Sequence, residues 1–226
     1  LNILKVPKES HLTRRFYYFI PAEGTPVKIV NGIEAHNLNH LPGEQLLYSS
    51  HSILTGHLSK ILKNVKTIAM EYSPMNAIPY VSKVDAGTIE QIKSFGVEIK
   101  SSADLISLFD AVWTKEQYED NIPVANALYE IVHSAFGLIK EKISQKLSIN
   151  EYEVQQFIMN EFDKRGYFTD HPPIVGVNEN SANPHYAPDS KTFKEIKEND
   201  FVLIDLWAKV NKDSGIWSDI TWVGFV

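Results

Sequence analysis

FVLIDLWAKVNKDSGIWSDITWV, residues 201–223, is the stretch on which the reading of this chain turns. Two β-favouring runs, Phe201 to Val210 and Ile216 to Val223, flank the polar segment Asn211 to Gly215, a pattern that predicts an antiparallel hairpin. With Asn211, Lys212 and Asp213 as the loop and Val210 facing Ser214, counting outward sets Asp205 directly opposite Asp219 on one face. A bulge at Gly215 would move that register by one. Directly opposed residues hold their Cβ atoms about 4.5–5.5 Å apart. Two carboxylates so placed repel, lose hydration and occupy a strand position that Asp disfavours. A wet face, a proton shared between them, or a cation between them would each relieve the cost, and spacing alone leaves all three open.

Upstream of the hairpin the chain divides in two. The first half alternates β-like and helix-like segments. Phe16 to Ile20 and Val27 to Val30, joined through Gly24-Thr25-Pro26, predict a hairpin, and its aromatics are expected in the strand core rather than as a ligand platform. Ser50 to Leu62 predicts a helix and Thr67 to Met70 a short strand. Asp85 caps a helix bearing Ile89, Ile92 and Phe95 that stops at Gly96. Val97 to Ile99 follows as a strand, then a Ser-capped helix over Ala103 to Phe109. The alternation predicts an α/β domain over residues 1–112.

From Trp113 onward the pattern changes to long helices. One covers about Glu116 to Gln145, with Pro123 marking a break or a late start. A second opens at Ser148-Ile149-Asn150-Glu151, read as a reciprocal capping box, carries Val154, Phe157, Ile158 and Phe162 on one stripe, and ends at Gly166. Beyond Pro172 and Pro173 the sequence turns β-rich, so residues 113–226 form the second expected domain.

With 226 residues, 43% of them hydrophobic and 22% charged, the chain is large enough for two globular domains. The formal net charge of −6 and the lack of a basic cluster argue against a nucleic-acid partner. The apolar runs are too short for a bilayer, and Leu1 to Arg15 lacks a signal-peptide core, so neither a membrane nor a leader is expected. The chain opens on Leu rather than Met, and translation is expected to begin before it. Without cysteine, any metal must be held by oxygen and imidazole, and a cytoplasmic setting is expected. No phosphate-binding Gly-rich loop or nucleophile elbow is present. His36 and His40, spaced i, i+4 between Glu34 and Glu44, form a weaker candidate metal clasp, with a solvated face as the plain alternative. His51 and His57 read as ordinary residues flanking a helix.

Leu203-Ile204-Asp205, a short loop, and Ser218-Asp219-Ile220-Thr221 together resemble the paired-aspartate hairpin of the pita-bread metallopeptidases, the family of methionine aminopeptidase, aminopeptidase P, prolidase and creatinase. Ser181-Ala182-Asn183-Pro184-His185-Tyr186 is similar to the family segment whose histidine lines the substrate pocket. More loosely, residues 16–112 look like the later part of the creatinase-type N-terminal domain, which sets the chain apart from methionine aminopeptidase. The resemblance implies that Asp205 and Asp219 are metal ligands, that His185 hydrogen-bonds substrate, and that two divalent ions (Mn favoured, Co or Zn as alternatives) serve as cofactors. It further implies a proline-containing peptide substrate cleaved at an N-terminal Xaa-Pro bond, and a homodimer. Prolidase-like and creatinase-like hydrolases are the nearest alternatives, and a non-catalytic peptide-binding or protein-binding homologue is the rival of a different class.

Three departures qualify the likeness. The loop between the aspartates is longer than the family's usual one, and Trp222-Val223 stand where many members have Arg-Thr. The family's remaining ligands, a histidine and two glutamates, lie beyond the second aspartate, whereas this chain ends at Val226. The resemblance therefore implies a creatinase-type N-terminal domain lacking its start, followed by an incomplete pita-bread domain that is inactive by itself and leaves a sheet edge open.

Overall fold

Strand β8, Phe201–Val210, alternates strictly: Val202, Ile204, Leu206 and Ala208 are all fully buried, while Leu203, Asp205, Trp207 and Lys209 face the other way. That alternation orients the second of two compact units, Leu1–Val112 and Trp113–Val226. The computed structural model describes residues 4–7 and 10–226. The leader reading of Leu1 to Arg15 therefore falls partly outside the described residues. The mixed α/β class expected from the sequence is the one observed.

In the first unit, β1 (Tyr17–Phe19) pairs antiparallel with β2 (Val27–Asn31), and β2 pairs parallel with β3 (Glu44–Tyr48). The strand at β3 had no counterpart in the sequence reading, because its Glu44 and Gln45 blunt the β signal. Helix α1 (His51–Leu62) starts where the Ser50 hydroxyl accepts from the Ile53 amide, and buries Leu54, Leu58 and Leu62 at i, i+4, i+8. Strand β4 (Thr67–Met70) and parallel β5 (Glu98–Ser101) flank α2 (Ala86–Lys93), which Asp85 caps through the Thr88 amide; α3 (Ala103–Asp110) follows. The core joins Ile29, Tyr48, Ile92 and Val97 to the α1 leucines.

The second unit begins with α4, Lys115–Ser144, capped by a Thr114/Gln117 box. Pro123 neither breaks nor delays it: the helix runs on through that residue, two turns in, without the i→i−4 hydrogen bond that a proline nitrogen cannot donate. By length and apolar content α4 would suit a bilayer, yet Val124, Leu128, Ile131, Val132, Ala135 and Ile139 are spent on the protein core. Helix α5 (Glu151–Arg165) packs Val154, Ile158 and Phe162 into the same core and ends at Gly166 in the left-handed conformation (φ 69°). Its box is Asn150 with Glu153, not Ser148 with Glu151: the extended residue at the helix start is Asn150, whose side chain accepts from Glu153 N at 2.9 Å. Glu151 is thereby released for another task.

Around β8 the short β6 (Tyr167–Phe168) and β7 (Ile174–Val177) pair antiparallel in succession, and β9 (Ser218–Phe225) pairs antiparallel along eight residues. The hairpin register differs from the sequence expectation. Asp205 faces Thr221, and Asp219 faces Trp207, a displacement of two residues. The cause lies in the tip. Residues 211–217 form a turn of their own, with Lys212 N bonded to the Val210 carbonyl and Gly215 N to that of Lys212. Gln117 and Asn121 of α4 bond the carbonyls of Ser214 and Ile216 and hold the tip against the helix, outside the ladder.

Gly43 tests the first unit. Its φ of +107° suits only glycine, and a Cβ there would meet the Pro26 carbonyl oxygen at 2.3 Å, where Glu44 N bonds that same oxygen. Gly43→Ala should cost about 2 kcal/mol or more. Urea unfolding followed by far-UV circular dichroism would show the loss as an earlier first transition.

Candidate metal centre

The displaced register still leaves both aspartates on one face, because a shift of two preserves the strand's side-chain period. Asp205 and Asp219 are diagonal rather than direct neighbours, a relation that spans about 7–8 Å in an antiparallel pair. Asp205, half-buried in β8, accepts a 2.5 Å hydrogen bond from the Thr221 hydroxyl directly across from it. Asp219 is more open, yet its carboxyl pKa is raised above the ordinary value, first by the protein packed around it and second by the charge of Asp205. The second cause is the one that matters chemically, since a cation placed between the two would reverse it.

The flanks of this face are polar and aromatic together. Trp207, opposite Asp219, donates its indole N–H to Asp170 at 2.7 Å, and that bond is the leading reason the Asp170 carboxyl lies below its usual range. His171 Nδ1 stands 3.3 Å from the other Asp170 oxygen.

His185 lies on the connection between β7 and β8. Its side chain is exposed, and its backbone N–H donates to Asn183 Oδ1 at 3.1 Å. Among the described residues no hydrogen bond links it to either aspartate. What holds this connection is Glu151, a carboxylate with no exposed surface. It accepts from Val177 N (2.7 Å), Asn180 Nδ2 (2.9 Å), the Tyr186 hydroxyl (2.6 Å) and Lys194 N (2.6 Å). Four donors replace the water that burial removes, and the N-terminal end of α5 favours the negative charge. Sequence reasoning absorbed Glu151 into a cap and missed this role. The one available signal was Glu at the first helical position beside a second Glu at Glu153, an excess that one box does not need.

Asp205, Asp219 and His185 are thus on the same unit, but only the aspartates are brought onto a common face by recorded pairing. The His36/His40 clasp does not form. Glu34 turns inward to accept from Thr13 N, the Thr13 hydroxyl and Arg14 N, while His40 Nε2 pairs with the Leu4 carbonyl at 2.8 Å. His57 pairs with the Leu47 carbonyl. Two carboxylates on one face, one of them resisting ionisation first through burial and second through the charge of the other, fit a divalent cation as two of its oxygen donors. Among the described residues no group of three or more His, Cys, Asp or Glu side chains is placed to hold an ion.

Residues 120–226 match the sequence model of Metallopeptidase family M24. A prolidase from Thermococcus sibiricus is similar over 97% of this chain and 56% of its own, at 20% identity and a TM-score of 0.54. Dipeptidase PepE from Mycobacterium ulcerans is similar over 92% of this chain and 53% of its own, at 14% identity and a TM-score of 0.54. An X-prolyl aminopeptidase from Caenorhabditis elegans, described as a cytosolic enzyme with a di-nuclear active site, is similar over 93% of this chain and 33% of its own, at 14% identity and a TM-score of 0.52. At such identities the likeness is one of fold, and the chain spans about half the length of the first two proteins. No curated protein sequence matches significantly.

Two measurements test the buried carboxylate. Glu151→Ala strands four donors and should destabilise the second unit by about 3 kcal/mol or more in chemical denaturation. The Tyr186 phenol is raised well above its ordinary 10.0, first by burial and then by its bond to Glu151. An unfolded phenol ionises near that ordinary value while the folded one stays neutral, so its stabilisation is complete below pH 10 and is lost as pH rises towards the folded value. Unfolding free energy should fall from about pH 10 upward, and Tyr186→Phe should remove that part of the decline.

Proposed function

We propose, on the premise that residues 120–226 belong to metallopeptidase family M24, that the whole protein is a metal-dependent peptidase of the Xaa-Pro type. This chain contributes Asp205 and Asp219 as metal ligands and His185 as a substrate-contacting group. The observation that carries the proposal is the pairing of two carboxylates on the open face of β8 and β9, with the charge of one opposing ionisation of the other. Divalent ions bound there, Mn by preference and Co or Zn as substitutes, supply a water of lowered pKa and a Lewis acid for the scissile carbonyl.

The chain's own residues do the rest of what can be assigned. Thr221 holds one oxygen of Asp205 and leaves the other for coordination. Asp170 holds the indole N–H of Trp207, the residue directly across the strand pair from Asp219. The loop tied down by Glu151 and Tyr186 presents His185, whose imidazole is suited to donate to the carbonyl oxygen as charge develops on it. The names of two fold relatives, a prolidase and an X-prolyl aminopeptidase, support proline-directed cleavage. A homodimer and a cytoplasmic setting belong to the same proposal. With two carboxylate donors on the face among the described residues, this chain by itself binds Mn weakly and does not turn over.

Hydrolysis of Xaa-Pro dipeptides and tripeptides by the complete natural gene product, with and without Mn, is the deciding assay. Asp219→Ala should lower the Mn-dependent rate by about 10³-fold or more, a barrier increase of about 4 kcal/mol. An unchanged rate in that variant would sink the proposal.

A further inference from the structure

The face that carries the aspartates also carries a cation. Lys209 lies two residues past Trp207 on β8 and therefore shares its side of the sheet. Its ammonium sits 5.4 Å from the ring centre of Trp217 and 5.8 Å from that of Phe168, and the two rings are 5.9 Å apart. One of its three N–H donors goes to the Lys212 carbonyl at 3.0 Å. The aromatic faces attract the charge but hold it loosely, leaving N–H groups for an incoming acceptor.

This arrangement is fixed in advance. Asn121 of α4 donates to the Ile216 carbonyl at 3.2 Å and to the Ser218 hydroxyl at 2.8 Å, bracketing Trp217. Gln117 holds the Ser214 carbonyl, and Lys212 is bonded to Asp120 at 2.8 Å. Phe168 is carried opposite Lys209 by the β6–β8 ladder. Both residues remain about two-fifths exposed, at 40% for Phe168 and 39% for Trp217, so the cation beside the two rings is reachable.

Distance then selects the ligand. The Lys209 position is about 7 Å along the strand from the row that holds Trp207 and Asp219. An extended peptide advances about 3.5 Å per residue, so a group one or two residues beyond a carbonyl held at the aspartates comes within reach of the lysine stem. The acceptor chemistry that suits a partly desolvated ammonium is a carboxylate.

From this, and resting on the peptidase proposal above, we infer that Lys209, walled by Phe168 and Trp217, receives a carboxylate of a short peptide whose scissile bond lies over Asp205 and Asp219. The carboxylate is either the free C-terminus or an acidic side chain, and the pocket thereby selects substrates by length or by sequence.

The test is equilibrium binding to this chain at Mn concentrations shown to saturate its weak site, read by tryptophan fluorescence, with Ala-Pro and Ala-Pro amide as one pair of probes and Ala-Pro-Glu amide and Ala-Pro-Gln amide as the other. Wild type should bind the carboxylate-bearing member of at least one pair about tenfold more tightly, Lys209→Met should abolish the difference, and Lys209→Arg should retain part of it. Preference within the first pair identifies the C-terminus as the source, and preference within the second identifies a side chain. Equal binding within both pairs, a preference that survives Lys209→Met, or no saturable binding of any probe would overturn the inference. Because no turnover is read, loss of the preference with Mn-dependent hydrolysis intact in the complete protein removes the Lys209 assignment alone. Absence of that hydrolysis removes the peptidase proposal itself.

Discussion

The two-residue period of β8 is the constraint from which the second unit follows. Val202, Ile204, Leu206 and Ala208 must face α4 and α5, since a slip of one would bury Asp205, Trp207 and Lys209 in an apolar core and expose four aliphatic side chains. Burying an unpaired carboxylate in such surroundings costs several kcal/mol, far more than any local preference of the hairpin tip. Hydrophobic burial on one face therefore dictates where the charges go on the other. The chemistry of the open face is a consequence of the packing behind it.

A second carboxylate works in the opposite way. Asp205 and Asp219 are left on an open face where they oppose each other, whereas Glu151 is withdrawn from water and fully supplied with donors. The first arrangement stores an electrostatic conflict that a cation can relieve. The second resolves its conflict internally and stiffens the connection carrying His185. A polar network satisfied to this extent specifies one arrangement of a long irregular segment that has little regular structure to hold it. The contrast separates carboxylates disposed for chemistry from one disposed for architecture, within a single residue type.

Much of this was legible beforehand, and the exceptions have physical causes. Helix α5 announced itself through Val154, Ile158 and Phe162, and α1 was legible over Ser50 to Leu62, because helix signals are local. Strand β3 carries no comparable signal: its pairing with β2 is parallel and non-local, and its exposed residues mix Glu and Gln with leucine. The capping box was found but placed two residues early, since Ser148 and Asn150 are both good caps and only the backbone decides between them. Glu151 has the same composition whether it caps, is solvated or is buried, and sequence pattern does not distinguish these.

The amino-acid sequence by itself determined the α/β class and the pairing of the strands that bear Asp205 and Asp219, and it set those two residues on a common face for any even register, because parity along a strand survives an even shift. Only the tertiary structure decided that Asp205 meets Thr221 and Asp219 meets Trp207. That choice belongs to Gln117 and Asn121, which lie far back in the chain on α4 and capture the carbonyls of the hairpin tip. It was likewise tertiary packing that gathered Lys209, Phe168 and Trp217 into one cluster, since three elements had to converge before the cation had walls. Period and composition are properties of neighbours in sequence. Register and clustering depend on hydrogen-bond partners brought together only by folding.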